Sequence, residues 1–543
     1  MSTLSSQLPV LPVLLPAATA IVLLMLGDND GSGHDHPRLR WARAVALAST
    51  ALGGVIALLL ALQADTGVLA VYRLGDWPAP FGIVLVVDRL AALMLLLSAA
   101  VALPVLLYAS GGWDAHGRHF HALFQFQLMG LNGAFLTGDL FNLFVFFEVL
   151  LIASYVLMMH GGGPQRLRVG LHYVVLNLVA SALFLVGAAL VYGVTGTLNF
   201  TDLALRAPQV PPADAALLQA GALLLLVVFG FKAALAPLSL WLPATYAASS
   251  APVAALFAIM TKVGVYAILR VHGVALEGMA VPLLLPLALV TCIVGVLGAL
   301  AAATLQRLVA WLTVASVGTI LAAVGLAGPA AWSAAMVYLV HSTLVVAGLF
   351  LLAELVAAQR GDVGGLLQPA APLAQPTLLG LLLLLAAASS AGLPPLPGFI
   401  GKVMLLQAAW GHAWAVAVWV VVLAVGFCTL VGLARAGSVL FWKLLPDTPV
   451  VAAGASPRLL AATVSLLAGG VLLSVLAAPL TAYTDAAARQ LGDTAAYARA
   501  VLPELGAERA VSTQPYTGRR PAAQAPVAVP LPAAAAPTRG ASQ

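Results

Sequence analysis

The chain has 543 residues, of which 62% are hydrophobic and 8% charged, whereas a soluble domain carries roughly 25% charged residues. So little polar surface excludes a soluble enzyme or a nucleic-acid-binding module and defines a polytopic membrane protein. The net charge of +5 then speaks of loop topology, because the basic residues sit in short connections and in the tail.

In chain order, the apolar stretch Leu8–Leu26 has no lysine or arginine ahead of it. A cleaved signal peptide would need one, so this stretch reads as the first membrane helix despite Pro9, Pro12 and Pro16. From there about fourteen apolar spans can be drawn, each able to cross about 30 Å of hydrocarbon at 1.5 Å per residue. With the N-terminus outside, inner connections would carry Arg38, Arg40, Arg43, Arg118, Arg166, Arg168, Arg307, Arg360, Arg435, Lys443 and Arg458. Outer connections would carry only Arg73, Arg89, Arg206 and Arg270, and the positive-inside rule favours that orientation.

The fifth span, Thr137–Met159, reads T-G-D-L-F-N-L-F-V-F-F-E-V-L-L-I-A-S-Y-V-L-M-M and holds Glu148 near its centre. A carboxylate at that depth costs about 2.5–3.5 kcal/mol on insertion scales, so something must neutralise it. Asp139 begins the same helix, where a carboxylate suits the helix dipole; direct cation ligation by Glu148 and Asp139 stays open. Further on, three of the chain's four lysines, Lys232, Lys262 and Lys402, fall inside apolar spans. Two of them stand beside helix-breaking residues. Lys232 precedes Pro237, and Lys402 follows Pro394, Pro395, Pro397 and Gly398. Unwound backbone with an ionisable group beside it is a recurrent construction of ion-translocating sites. His341 lies within another apolar span and can relay protons, with Ser342 and Thr343 next to it as accessory candidates. His160, His172 and His272 stand nearer to helix ends, and Glu354 reads as interfacial. His116, His119 and His121 read as loop residues without a ligand set for a metal.

No phosphate-binding glycine loop, dinucleotide fingerprint or C-x-x-C pair is present. Cys292 and Cys428 both lie in apolar runs and read as buried packing residues. No cofactor and no metal is expected, so any energy used comes from an ion gradient or from partner subunits. From about Thr481 the composition becomes charged and then Ala/Pro-rich. Thr481–Ala510 reads as a short surface helix and the remainder as disordered.

Four motifs, in order, resemble the D-type subunit of the multisubunit (Mrp or Pha type) monovalent cation/proton antiporters. They are T-G-D-L-F-N-L-F-V-F-F-E-V-L-L-I-A-S-Y, F-K-A-A-L-A-P-L-S-L-W-L-P-A-T-Y, L-F-A-I-M-T-K-V-G-V-Y-A-I-L-R and A-G-L-P-P-L-P-G-F-I-G-K. The resemblance covers about residues 80–440 and extends to the antiporter-like subunits of respiratory complex I and membrane-bound hydrogenases. It implies an all-α protein of about fourteen helices with two inverted five-helix repeats and helix breaks at Lys232–Pro237 and Pro394–Lys402. The implied organisation is residues 1–115 as three N-terminal helices, 116–275 and 276–445 as the two repeats, 446–480 as a last membrane helix, and 481–543 as a soluble tail. It further implies a proton-translocating axis of Glu148, Lys232, Lys262, His341 and Lys402, with Glu148 paired to Lys232 and His341 in a broken eleventh helix. The expected function is exchange of Na+ or K+ for protons across a bacterial inner membrane, with other membrane subunits as partners. A proton-pumping subunit of a redox complex and a scaffold without its own ion path are the alternatives. Two departures stand out. The segment after Lys232 has Leu238, Ser239, Leu240 and then Ala244, Thr245, Tyr246 where complex I relatives commonly carry histidines, which favours the antiporter branch. The stretch Ser342–Val346 lacks the lysine that relatives often place after the eleventh-helix histidine.

Overall fold

A computed structural model describes residues 6–27, 37–279, 281–445 and 453–502. The membrane helices are α1 Leu11–Leu26, α2 Pro37–Asp65, α3 Arg89–Ala109, α4 Phe120–Leu136, α5 Leu140–Met159, α6 Pro164–Thr195 and α7 Pro212–Ala233. They continue with α8 Ala251–Arg270, α9 Val281–Leu300, α10 Leu305–Gly325, α11 Pro329–Ala358, the half-helices α12a Pro376–Ala391 and α12b Pro397–Ala408, α13 Ala415–Phe441 and α14 Pro457–Val475. Twelve of these are long and apolar enough to span a bilayer singly; α4 and the α12a–α12b pair bring the crossings to the fourteen expected. The chain is a helical, multi-pass membrane protein.

Helix starts follow local chemistry. Asp88, Asp139 and Thr304 each accept a hydrogen bond from a backbone N–H one turn on, at Ala91, Asn142 and Arg307 respectively, which satisfies an otherwise orphaned donor. Prolines open α2, α6, α7, α11, α12a, α12b and α14, where the missing N–H costs nothing. Burial sorts the helices. The described sides of α8, α10 and α11 are buried almost throughout, whereas α2, α6 and α13 keep half or more of their residues toward the surroundings. The exposed faces of those outer helices are largely apolar over their central turns, which suits lipid.

At one end of the bundle a small antiparallel hairpin pairs Ala70–Arg73 with Val84–Val87, in the register Ala70↔Val87 to Arg73↔Val84. Two amphipathic helices after the last span, α15 Ala477–Leu491 and α16 Thr494–Val501, fold back onto the same end. Gln490 on α15 accepts from the N–H of Arg89 at 3.0 Å, and Tyr483 donates to the Arg89 carbonyl at 3.1 Å. The tail is therefore packed as far as residue 502, because α15 and α16 bury an apolar face and lend polar groups to the start of α3. The reading of 503–543 lies outside the described residues.

At the opposite end, arginines hold the connections. Arg43 makes a two-pronged contact with Asp114, at 2.6 and 2.8 Å, and His121 joins it at 2.9 Å. His121 is thus no loop residue but a fully buried one in the first turn of α4. Arg166 donates to the carbonyls of Ala248 and His160, and Arg458 to that of Ser110. Burial alone would raise the Asp114 carboxyl, but hydrogen bonds from Arg43 and His121 outweigh it and hold the group below its ordinary range.

Candidate functional site

The break after α7 comes first. Ala234 takes a left-handed conformation (φ 65°) and closes the helix two residues beyond Lys232, with the Leu235 N–H returning to the Gly230 carbonyl at 2.7 Å. The chain then runs unwound to a short helix, Trp241–Ala248. Its freed backbone groups find partners. The Trp241 indole donates to the Phe231 carbonyl at 3.1 Å, and the Ala236 N–H donates to Thr291 of α9 at 2.9 Å. Non-helical backbone at membrane depth persists only when so satisfied.

Lys232 is 5% exposed. Its ammonium donates to Asn177 Oδ1 on α6 at 3.0 Å and lies 6.0 Å from the centre of the Phe147 ring. Glu148, on α5, accepts instead from the Ser181 hydroxyl, also on α6. The direct Glu148–Lys232 ion pair expected from the resemblance is therefore not formed. Asn177 and Ser181, one turn apart on α6, stand as a neutral amide and hydroxyl link, each holding one of the two charges. The sequence reading misses this link, although an asparagine and a serine four residues apart in an otherwise apolar span are a readable signal.

Lys262 lies on α8, fully buried, and its one hydrogen bond among the described residues goes to the neighbouring Thr261 hydroxyl at 3.3 Å. Gly264, two residues on, is pressed against α7. A β-carbon there would stand 2.5 Å from the Ala233 nitrogen, so glycine is what lets the Lys262 helix touch the end of the Lys232 helix.

The second break separates α12a from α12b. Gly392 ends α12a in the left-handed region (φ 85°), and Pro397 starts α12b. Lys402 on α12b reaches back and donates to the carbonyls of Ala391 at 2.7 Å and Ser390 at 3.2 Å. These are the orphan carbonyls at the C-terminus of α12a, the negative end of its dipole, which suits an ammonium. His341 sits opposite, on α11. A β-carbon at Gly398 would collide with the Ser389 carbonyl and come within 2.8 Å of His341 Nε2. His341 Nδ1 is buried without a partner. His341, Lys402, Ser316, Thr319 and Thr429 share a cavity of about 30 Å³, room for a water molecule.

Helix α11 is not broken. Pro329–Ala358 is continuous, against the break expected at His341. The stretch around His341 contains no proline, and Ser342 and Thr343 bond back to the Leu339 carbonyl at 3.3 and 2.7 Å, so their hydroxyls supplement the ladder without opening it. Asp139 caps α5 through the Asn142 N–H at 2.9 Å and stands at the helix start, away from its centre.

Helices α5, α6, α7, α8, α11 and α12b touch in succession. The residues Glu148, Lys232, Lys262, His341 and Lys402 thus ride on one row of neighbouring helices, two of them at backbone breaks. Among the described residues no group of three or more histidine, cysteine, aspartate or glutamate side chains is arranged to hold a metal ion.

A row of ionisable groups across broken helices defines a class of proton- and ion-handling membrane proteins, and comparison with known proteins agrees. Residues 137–428 match the family described as NADH:quinone oxidoreductase/Mrp antiporter, TM. The chain belongs to that family and, within it, to the group of antiporter D subunits. It is 40% identical to the probable K(+)/H(+) antiporter D subunit of Rhizobium meliloti (strain 1021), over 92% of this chain and 99% of that one. It is 36% identical to the Na(+)/H(+) antiporter D subunit of Bacillus subtilis (strain 168), over 91% and 99%. Among solved structures, a chain of the Mrp complex from Dietzia sp. DQ12-45-1b superposes with a TM-score of 0.82 at 29% identity, covering 92% of this chain and all of that one. A chain of respiratory complex I from Thermus thermophilus superposes with 0.73 at 25%, covering 89% and 100%.

Proposed function

We propose that this chain is the proton-translocating subunit of a multisubunit Na+ or K+/proton antiporter in a bacterial inner membrane, a secondary transporter subunit rather than a catalyst. The observation that carries the reading is the succession of touching helices that carries Glu148, Lys232, Lys262, His341 and Lys402. Near full-length likeness to antiporter D subunits supports it, as does the histidine-free segment Leu238–Tyr246.

In this reading the link through Asn177 and Ser181 keeps the Glu148 carboxylate and the Lys232 ammonium close but apart. The lysine then has two alternative partners, the amide on α6 and the carboxylate on α5. A proton arriving on Lys262 repels the Lys232 ammonium and drives it toward Glu148; its departure lets the ammonium return to Asn177. Lys402 exchanges protons with His341 across the cavity they share and with one side of the membrane through the α12 break. The N-terminus lies outside and the arginine-rich end faces the cytoplasm, as the positive-inside rule requires.

The test is transport by the assembled complex in vesicles. Glu148→Gln and Lys402→Ala should each abolish cation-dependent proton movement while the complex still assembles on a native gel. Full transport by either variant would refute the axis. Loss of assembly in both would instead favour a scaffold role.

A further inference from the structure

The proton axis leaves a second buried polar cluster unexplained. It lies between α1, α2, α3 and α4, at mid-span, and surrounds a cavity of about 30 Å³ lined by Pro12, Ser49, Thr50, Ser98, Gln125 and Asn132 among others. The cavity contains no charged side chain. Its polar wall nevertheless has a consistent sense.

The lining hydroxyls turn their protons away. Thr50 donates to the Ala46 carbonyl and Ser98 to the Met94 carbonyl, both at 2.8 Å. Thr19 donates to the Leu15 carbonyl, so its 2.8 Å contact with Ser49 takes the serine proton. The two amides are oriented the same way. Gln125 spends its N–H groups on the Ala46 carbonyl at 3.2 Å and Thr50 at 2.9 Å, and its Oε1 is buried without a partner. Asn132 donates to the Pro12 carbonyl at 2.8 Å, and its Oδ1 is likewise buried and unpartnered. That carbonyl is available because Pro16, four residues on, has no N–H to donate to it. The proline of α1 thus helps to orient the asparagine.

What remains toward the cavity is a set of oxygen lone pairs from three helices, α2, α3 and α4, with the lining hydroxyl protons committed elsewhere. Two unmatched amide acceptors in a membrane interior are costly. The occupant that satisfies them is electropositive, needs only acceptors, and is no larger than one or two waters. Neutral oxygen cages that replace a hydration shell hold monovalent cations in membranes. From this geometry we infer that the α1–α4 cluster is a binding site for one dehydrated monovalent cation, separate from the proton axis and formed by Gln125 Oε1, Asn132 Oδ1 and the hydroxyl oxygens of Ser49, Thr50 and Ser98.

The experiment is equilibrium binding of ²²Na⁺ and ⁸⁶Rb⁺ (the latter for K⁺) to the full chain purified with the subunits it co-assembles with, in choline buffer. The wild-type protein binds one of the two ions saturably. Gln125→Ala and Asn132→Ala each raise the half-saturating concentration by about tenfold or more, the worth of one hydrogen-bonding oxygen to a charge, while Asn132→Asp lowers it. Glu148→Gln, which removes transport on the proposed axis, leaves this binding unchanged, so failure of the axis and failure of the site are told apart. Absence of saturable binding to the wild-type complex overturns the inference and assigns the cavity to water. Binding that persists within twofold in the variants that fold, or that disappears in Glu148→Gln, overturns it as well.

Discussion

The amide–hydroxyl link on α6 makes the most demanding prediction. Asn177→Leu keeps the branched side-chain shape and does not weaken the helix, but removes the acceptor 3.0 Å from the Lys232 ammonium. Lys232 is nearly fully buried, so water does not replace the lost partner freely. A hydrogen bond from a charged donor is worth about 1.5–3 kcal/mol. At about 1.4 kcal/mol per factor of ten, a step in which Lys232 must rest on α6 slows by roughly 10- to 150-fold. Ser181→Ala removes the matching contact to Glu148 and should act in the same direction. If the two residues form one link, the double variant is hardly slower than the worse single one, since coupled neighbours are not additive. The assay is cation-driven proton movement in inverted vesicles, read with a pH-sensitive dye and normalised to complex on a native gel. Transport by Asn177→Leu within twofold of wild type, or strictly additive losses, would refute the link.

Other outcomes follow from the same packing. Gly264→Ala places a β-carbon against the backbone of Ala233 and should separate α8 from α7, lowering both thermal stability and transport; unchanged melting and transport would contradict that close contact. Asp88→Asn keeps the α3 cap but removes the charge 2.5 Å from the buried Arg270 guanidinium. It should destabilise the protein by about 3–5 kcal/mol, visible as a lower unfolding temperature in detergent that Arg270→Met partly restores when the two are combined. Asp114 titrates below its usual range, so its contribution is present at neutral pH and is lost only as pH falls through its lowered folded value, beneath the unfolded value near about 3.9. Unfolding temperature measured down the acid range should show that loss in wild type and its absence in Asp114→Asn.

How far the sequence reveals this depends on the range of each interaction. The fourteen crossings are readable because a run of about twenty apolar residues is a local and strong signal. The two helix breaks are readable because Pro237 and Pro394–Pro397 act on their own turns. Glu148, Lys232, Lys262 and Lys402 stand out by their cost in hydrocarbon. Pairings are a different matter. Whether Lys232 meets Glu148 or Asn177 is decided by the rotation of α6 between its neighbours, which no single span encodes. The continuity of α11 is legible in the absence of any breaker around His341, yet the resemblance argues otherwise. Tyr497 bonds to Asp88 from 409 residues away, and composition alone offers no reason for its helix to be buried.

That last contact bears on how the protein is made. Arg270, at the end of α8, is enclosed by Asp88 from the start of α3, by the Tyr266 hydroxyl at 2.9 Å and by the Tyr497 hydroxyl of α16 at 3.1 Å. Tyr497 also donates to Asp88. Asp88 is synthesised early, Tyr266 and Arg270 midway, and Tyr497 only after every described membrane span has been translated. Until α16 arrives, the guanidinium and carboxylate lack the tyrosine hydroxyl that bonds both in the finished fold. Chains released early would therefore insert fully yet carry an unfinished charge cluster at one face of the bundle.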